Sequence, residues 1–255
     1  MAMQLKASHP RGGRWPGILA GLAILLLVVA VLMMAGAGPA YRGELISLGE
    51  AFNLLRNGVY AAGGAVAVSI VTLLLSILAR RFTSALMASL VIIAAAALLF
   101  VPWQHWQRAQ EVPAIHDITT DTQNPPAFEA LANARRAAPN AVDYPGEATA
   151  QQQRAAYPHI KPIIVDDSPQ TVLAAAQAAA EESGWRIARI TDNRIEATAT
   201  TRWFGFEDDV VIRLTELDNG VQVDMRSASR LGASDVGTNA ARIEEFLSAL
   251  EARLE

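Results

Sequence analysis

The chain has 255 residues, a formal net charge of −4 and no cysteine. The lack of cysteine excludes disulfides, thiolate catalysis and cysteine-ligated zinc. The acidic balance gives no reason to expect a nucleic-acid partner. The mean hydropathy of +0.23 is an average over a very apolar N-terminal region and a polar remainder. This division indicates a membrane region followed by a water-soluble domain.

Three uncharged apolar stretches, about 16–40, 57–79 and 82–103, lie within the first 106 residues. Each reaches the length of about 20 residues that a helix needs to cross the hydrocarbon core of a bilayer. They predict a membrane domain over 1–106 with three transmembrane helices. The first stretch, with its basic start and the small residues around Gly36, also fits a cleaved secretory signal.

Arginine and lysine set the expected orientation through the positive-inside rule. One side of the membrane receives Lys6, Arg11, Arg14, Arg80 and Arg81. The other side receives Arg42, Arg56 and Arg108. This bias predicts a cytoplasmic N-terminus and an extracytoplasmic C-terminal domain, in an integral membrane protein of the bacterial inner membrane.

Polar residues are sparse in the membrane region. The three stretches contain no ionisable side chain, which argues against a pump or a proton-coupled transporter. Ser69, Thr72 and Ser76 lie on one helical face and form either a seam for a partner helix or hydroxyls bonded within the bundle. Residues 44–56 predict an amphipathic helix on the membrane surface or, alternatively, an extension of the neighbouring span.

The polar remainder divides into an extended arm over 107–168, with a short helix near 127–137, and an α+β core over 169–255. In the core, Ser168 and Pro169 begin a helix. Four strand-like runs follow at 185–190, 194–202, 209–217 and 221–227, and an amphipathic helix ends the chain at 236–254. The order predicts an antiparallel sheet of about four strands packed by two helices, with one apolar and one charged face.

Several motifs in the soluble part are similar to one family. The run 223–232, followed by 234–237 and by Asn239, Arg242 and Ile243, resembles the C-terminal signature of domain-of-unknown-function family 1499. Further matches occur at 116–121, 125–128, 144–146, 157–158 and 203–206. Three spans ahead of such a domain resemble the membrane-anchored branch of the family. The resemblance implies an envelope protein and carries no activity.

Polar residues around the start of the last helix suggest an anion site, for a carboxylate or a phosphate. Helix N-termini and arginines both bind anions. The candidate ligand-binding residues are Arg226, Ser227, Ser229, Arg230, Asp235, Asn239 and Arg242. In the alternative interpretation, Asp235 caps the helix and pairs with Arg230 or Arg242, so that the group fixes a structural corner.

A second candidate site, for a divalent metal or for acid–base chemistry, consists of His116, Asp117 and Asp121. The same residues also suit an ordinary turn that fixes the arm. Trp203, Phe204 and Phe206 close an edge of the core or, if exposed, enter the membrane interface. The sequence has no phosphate loop and no nucleophile elbow, so no catalytic residue and no cofactor are predicted.

Three hypotheses of function follow from these features. The first is an envelope protein that binds or organises a lipid, a polymer or another protein. The second is an envelope hydrolase or transferase that uses His116, Asp117 and Asp121 with Arg226 and Arg230. The third is an accessory subunit of a membrane complex. The expected partners are the lipid bilayer and an envelope or membrane protein, without nucleic acid.

Overall fold

A computed structural model of the chain describes residues 13–255, so Lys6 and Arg11 lie outside the described residues. The chain forms two compact units: the first ends at Gln104, and the second runs from His105 to Glu255.

The first unit is built from three long apolar helices: α1 (Trp15–Arg42), α2 (Leu48–Leu78) and α3 (Phe82–Glu111), whose last residues enter the second unit. Each is long and apolar enough to cross a membrane, which confirms the three predicted helices. Residues 48–56 continue into α2 without a break, as the extension alternative expects. The helix begins there because Ser47 and Glu50 form a capping box.

Small side chains let α1 and α2 pack closely. The buried residues of α1 include Ala23, Ala30 and Ala37, and those of α2 include Ala51, Gly58 and Ala65, so that both series repeat every seventh residue. A Cβ atom on Gly58 would lie 3.3 Å from the Ala30 carbonyl oxygen. Glycine at this position therefore permits the close approach of the two helices.

The hydroxyl face of α2 is buried within the first unit. Ser69, Thr72 and Ser76 are all almost fully buried. The Thr72 hydroxyl donates a hydrogen bond to the Val68 carbonyl oxygen over 2.7 Å. This contact is the backbone bond that the bundle interpretation expects of a membrane helix. The hydroxyls of Ser69 and Ser76 have no hydrogen-bond partner among the described residues.

The second unit contains one antiparallel sheet of six strands. They are β1 (Asp117–Thr119), β2 (Ile163–Val165), β3 (Arg186–Thr191), β4 (Arg194–Thr200), β5 (Glu207–Leu217) and β6 (Gly220–Ser229). The order is β1-β6-β5-β4-β3, and β2 also pairs with β6. The predicted α+β fold is confirmed with two additional strands, because three-residue strands are too short to show an alternating pattern.

Two long helices cover one face of the sheet. Helix α6 (Pro169–Glu182) begins at Ser168, whose hydroxyl accepts the Thr171 N–H as predicted. Helix α7 (Thr238–Leu254) closes the chain, and its Phe246 ring stacks on Trp185 at 5.4 Å. Burial of these apolar faces against β4, β5 and β6 forms the main core.

The arm covers the opposite face of the sheet, which the sequence predicts to be charged. It carries α4 (Ala132–Arg136), close to the predicted short helix, and α5 (Glu147–Ala156), which the sequence did not predict because it has few large apolar residues. Phe128 and Leu131 pack on the sheet. This face is therefore polar, as predicted, but it is buried under the arm rather than exposed to solvent.

Candidate functional site

Asp117 and Arg226 form a buried ion pair under the arm. Their side chains are 1 % and 2 % exposed. Arg226 donates from Nε to Asp117 Oδ1 over 2.9 Å and from Nη2 to Asp117 Oδ2 over 2.7 Å. It also donates to the carbonyl oxygens of Pro126 and Val142, and its guanidinium lies 4.6 Å from the Phe128 ring centroid. The charge of Arg226 is thus matched inside the protein.

Asp209 joins two further arginines on the same face. Its Oδ2 accepts a hydrogen bond from Arg135 over 3.2 Å, and its two carboxylate oxygens accept bonds from Arg230 over 2.9 and 2.8 Å. Hydrogen bonding to Asp209 raises the pKa of Arg230, whereas burial lowers the pKa of Arg135. Arg230 also pairs with Glu207. Both guanidinium groups are therefore held by carboxylates of the sheet.

A separate polar cluster lies at the helix-covered face of β6. The Asn239 amide donates to Ser229 Oγ over 3.0 Å, and its Oδ1 accepts from Ser227 Oγ over 2.7 Å. Arg242 donates to Ser227 Oγ over 2.9 Å and pairs with Asp208 over 2.6 Å. These contacts join the end of β6 to the start of α7.

Asp235 holds the first turn of α7. Its carboxylate accepts the backbone N–H of Gly237 over 2.9 Å and that of Asn239 over 2.7 Å. Burial raises the pKa of Asp235, although these two hydrogen bonds oppose the shift. The predicted capping role is present, but the ion pairs of Arg230 and Arg242 are made with other carboxylates.

The seven residues of the predicted anion site do not share one pocket. Successive side chains of a strand point to opposite faces, so Arg226 and Arg230 lie under the arm while Ser227 and Ser229 face α7. Asn239, Arg242 and the two serines do come together. Their side chains bond to one another, to Asp208 and to the carbonyl oxygen of His116, as the structural interpretation expects.

His116, Asp117 and Asp121 do not converge as a metal site. The Asp117 carboxylate is bound by Arg226 in the buried ion pair. Asp121 accepts the backbone N–H groups of Gln123 and Asn124 and lies 3.3 Å from Arg213. Across residues 13–255 no group of three or more such ligands has a metal-binding arrangement. Asp121 therefore stabilises a turn, which is the alternative that the sequence left open.

A cleft of about 440 Å³ opens beside His116. It lies where the start of β1 meets α5 and the turn after β6. Its polar lining comes from His116, Asn140, Thr149 and Gln152. His116 Nδ1 is buried and has no hydrogen-bond partner within the described part of the chain. The volume lies within the range of about 300–1,000 Å³ that is typical of small-molecule sites.

Sequence reasoning missed three of these four lining residues, because they lie in the arm or on α5, where no pattern marks them. It also missed the role of Glu196, whose buried carboxylate accepts the backbone N–H groups of Glu129, Ala130 and Leu131 over 3.0–3.2 Å. The alternation of β4 does place Glu196 on the polar face of the sheet.

The aromatic cluster has both buried and exposed members. Phe204 is buried and stacks on Phe206 at 4.9 Å, with Trp203 edge-on to it. Trp203 is 43 % exposed. Phe204 thus fits the prediction of a closed core edge.

Replacing Tyr144 with phenylalanine should leave stability unchanged at neutral pH or raise it by about 1 kcal/mol, because the buried hydroxyl has no partner among the described residues. Burial, together with Asp117, raises the pKa of Tyr144 to about 12 from 10.0. The unfolded chain therefore loses this proton first, and stability falls as the pH rises through that interval.

The Tyr144→Phe variant should not show this loss of stability at alkaline pH. Free energies of unfolding at about pH 8 and pH 11 measure it, since the stability difference between the two proteins should grow at the higher pH. A variant less stable than the wild-type protein at pH 8 would reveal a partner for the hydroxyl.

Comparison with known proteins gives one family. The family model described as "Protein of unknown function (DUF1499)" matches residues 117–250, which is more than half of the chain and includes the whole sheet. No curated protein matches the sequence. The chain belongs to the DUF1499 family.

Proposed function

We propose that this chain is a membrane-anchored binding protein of the cell envelope, whose soluble unit holds an envelope component in the cleft beside His116. The observation that carries the proposal is the cleft itself, which has a volume of about 440 Å³ and is lined by His116, Asn140, Thr149 and Gln152. A cleft of this volume lies within the range of small-molecule sites.

The anchor consists of the three apolar helices, each able to cross a membrane. The bias of arginine and lysine supports a cytoplasmic N-terminus and an extracytoplasmic soluble unit. We therefore propose the bacterial inner membrane as the location. In this orientation the cleft is open to the components of the envelope outside the cytoplasm.

The arrangement of side chains favours binding over catalysis. A hydrolase or transferase built on His116, Asp117 and Arg226 needs these groups within hydrogen-bond reach of one reacting atom. Asp117 and Arg226 instead bind each other in a buried ion pair. His116 lines the cleft, and none of the other lining residues has a charged side chain.

Native mass spectrometry of the full-length protein, extracted gently from its own membrane, tests the proposal. We expect an additional mass on the wild-type protein and its loss from Ala233→Trp, because Ala233 lines the cleft and a large side chain there fills it. Ala155→Trp, on an exposed position of α5, is the matched control and should keep the mass. A bare wild-type protein, or a mass retained by Ala233→Trp, would contradict the proposal.

A further inference from the structure

The loop between β4 and β5, residues 201–206, presents an exposed aromatic side chain at its tip. Trp203 is 43 % exposed, whereas the neighbouring Phe204 is 9 % exposed. From the shape of this loop and its place in the sheet, we infer that Trp203 inserts into the lipid interface of the membrane that holds the anchor. This contact with lipid is independent of any ligand in the cleft beside His116.

The loop is held in one conformation by its own contacts. The Thr201 N–H donates to the Phe206 carbonyl oxygen over 2.9 Å, and the Phe206 N–H donates to Thr201 Oγ1 over 2.9 Å. Gly205 has a φ of +73°, a conformation that favours glycine. Trp203 packs edge-on against the Phe204 ring at 4.9 Å. A side chain that is already fixed loses little conformational entropy when a partner covers it.

The register of the sheet determines at which end the loop lies. Three pairs mark this end, namely Thr200 with Glu207, Asp208 with Ser229, and Asp117 with Ala228. The end of β4, the start of β5, the end of β6 and the start of β1 therefore share one end of the sheet, and the loop joins two of them. The turns at 192–193 and 218–219 lie at the opposite end.

The chain enters the sheet from the last apolar helix at the same end as the loop. The Ile115 carbonyl oxygen accepts the Asp235 N–H over 3.1 Å, and the His116 carbonyl oxygen accepts the Ser229 N–H over 2.9 Å. Only residues 104–116 separate the third apolar stretch from β1. Of these, 104–111 are helical and add about 12 Å of length. This short tether gives the loop a high effective concentration at the lipid surface.

The side chains at the tip suit the boundary between hydrocarbon and lipid headgroups. Tryptophan combines a large apolar ring with one N–H donor, and it is enriched at this boundary in membrane proteins. Arg202 is exposed beside it and provides a guanidinium group, which binds phosphate groups such as those of lipid headgroups. A lipid surface therefore matches both side chains of the tip.

Quenching by spin-labelled lipid tests the contact. Because the chain has no cysteine, Trp203→Cys and Leu217→Cys in the full-length protein each give one site for a nitrobenzoxadiazole label. Leu217 is the matched control, since it is 40 % exposed and lies beside the turn at the opposite end of the sheet.

Both labelled proteins are placed in nanodiscs of phosphatidylethanolamine and phosphatidylglycerol. The nanodiscs contain lipid that is spin-labelled just below the headgroup, the depth at which interfacial side chains lie. We expect the label at position 203 to lose most of its emission and the label at position 217 to keep it. Arg202→Cys retains Trp203 and should be quenched as well, so it remains informative if Trp203→Cys lowers stability.

Quenching at positions 202 and 203 that does not exceed the quenching at position 217 would overturn the inference. A blue-shifted emission at position 203 without quenching by lipid would also overturn it, because protein rather than lipid would then cover the loop. Neither result would affect the native mass expected for a ligand in the cleft, so the proposed function is tested separately.

Discussion

Replacing Asp117 with alanine should lower the free energy of unfolding of the soluble unit by about 3–5 kcal/mol, the range for removing one partner of a buried ion pair. Arg226 would keep its charge in a site that is 2 % exposed. The carbonyl oxygens of Pro126 and Val142 and the Phe128 ring would remain near it, but none of them carries a compensating negative charge.

Hydrogen exchange of the full-length protein, followed by mass spectrometry, measures this effect. Peptides from β5 and β6 should exchange faster in Asp117→Ala, because β6 carries Arg226 and pairs with β1. Asp143→Ala is the control, since Asp143 is exposed on the same arm, and it should change stability by less than about 0.5 kcal/mol. Equal protection in the two variants would mean that Arg226 finds another counter-charge or water.

Replacing Glu196 with alanine should loosen the arm at a cost of about 3 kcal/mol. The Glu196 carboxylate accepts the backbone N–H groups of three consecutive residues of the arm, and its side chain is buried. A buried donor left without a partner costs about 1–3 kcal/mol. The bond of the Leu131 N–H is buried, whereas those of Glu129 and Ala130 are part-buried. Because water can reach the part-buried donors, we expect the total to lie at the lower end of the sum of three such costs.

The effect of Glu196→Ala should be local. Hydrogen exchange should rise at residues 127–137, while peptides of α6 and α7 on the opposite face should keep their protection. Glu216→Ala, at an exposed position of β5, provides a carboxylate control. If residues 127–137 keep their wild-type protection in Glu196→Ala, the hydrogen bonds of this carboxylate do not hold the arm in place.

Much of the fold can be predicted from patterns in the sequence. Uncharged apolar stretches predict the membrane helices, Ser168 marks the start of α6, and strict alternation marks β4 and β6. The strands β1 and β2 are not predicted, because three residues are too few to show an alternating pattern of apolar and polar side chains. Both strands also pair with β6, which lies far from them in the chain. Helix α5 is not predicted either, because its alanines and glutamines do not form an apolar stripe along one side of the helix.

The candidate site is less predictable than the fold, because the residues that contact one another there lie far apart in the sequence. The alternation of β6 already implies that Arg226 and Ser227 face opposite sides of the sheet, which argues against a single anion pocket. No local signal pairs Arg226 with Asp117 or places Gln152 beside His116. Those contacts depend on how the arm folds back over the sheet, and the sequence of the arm has little periodicity.

The proposed function requires that the cleft beside His116 is occupied and faces outward from the cytoplasm. Because the chain has no cysteine, Gln152→Cys in the cleft and Gln151→Cys beside it give two matched single-cysteine proteins. The most direct measurement is their rate of labelling by a membrane-impermeant maleimide in intact cells. We predict rapid labelling of Gln151→Cys, slow labelling of Gln152→Cys, and equal rates after denaturation. Labelling only after lysis would mean that the soluble unit faces the cytoplasm, and equal rates in intact cells would mean that the cleft is empty.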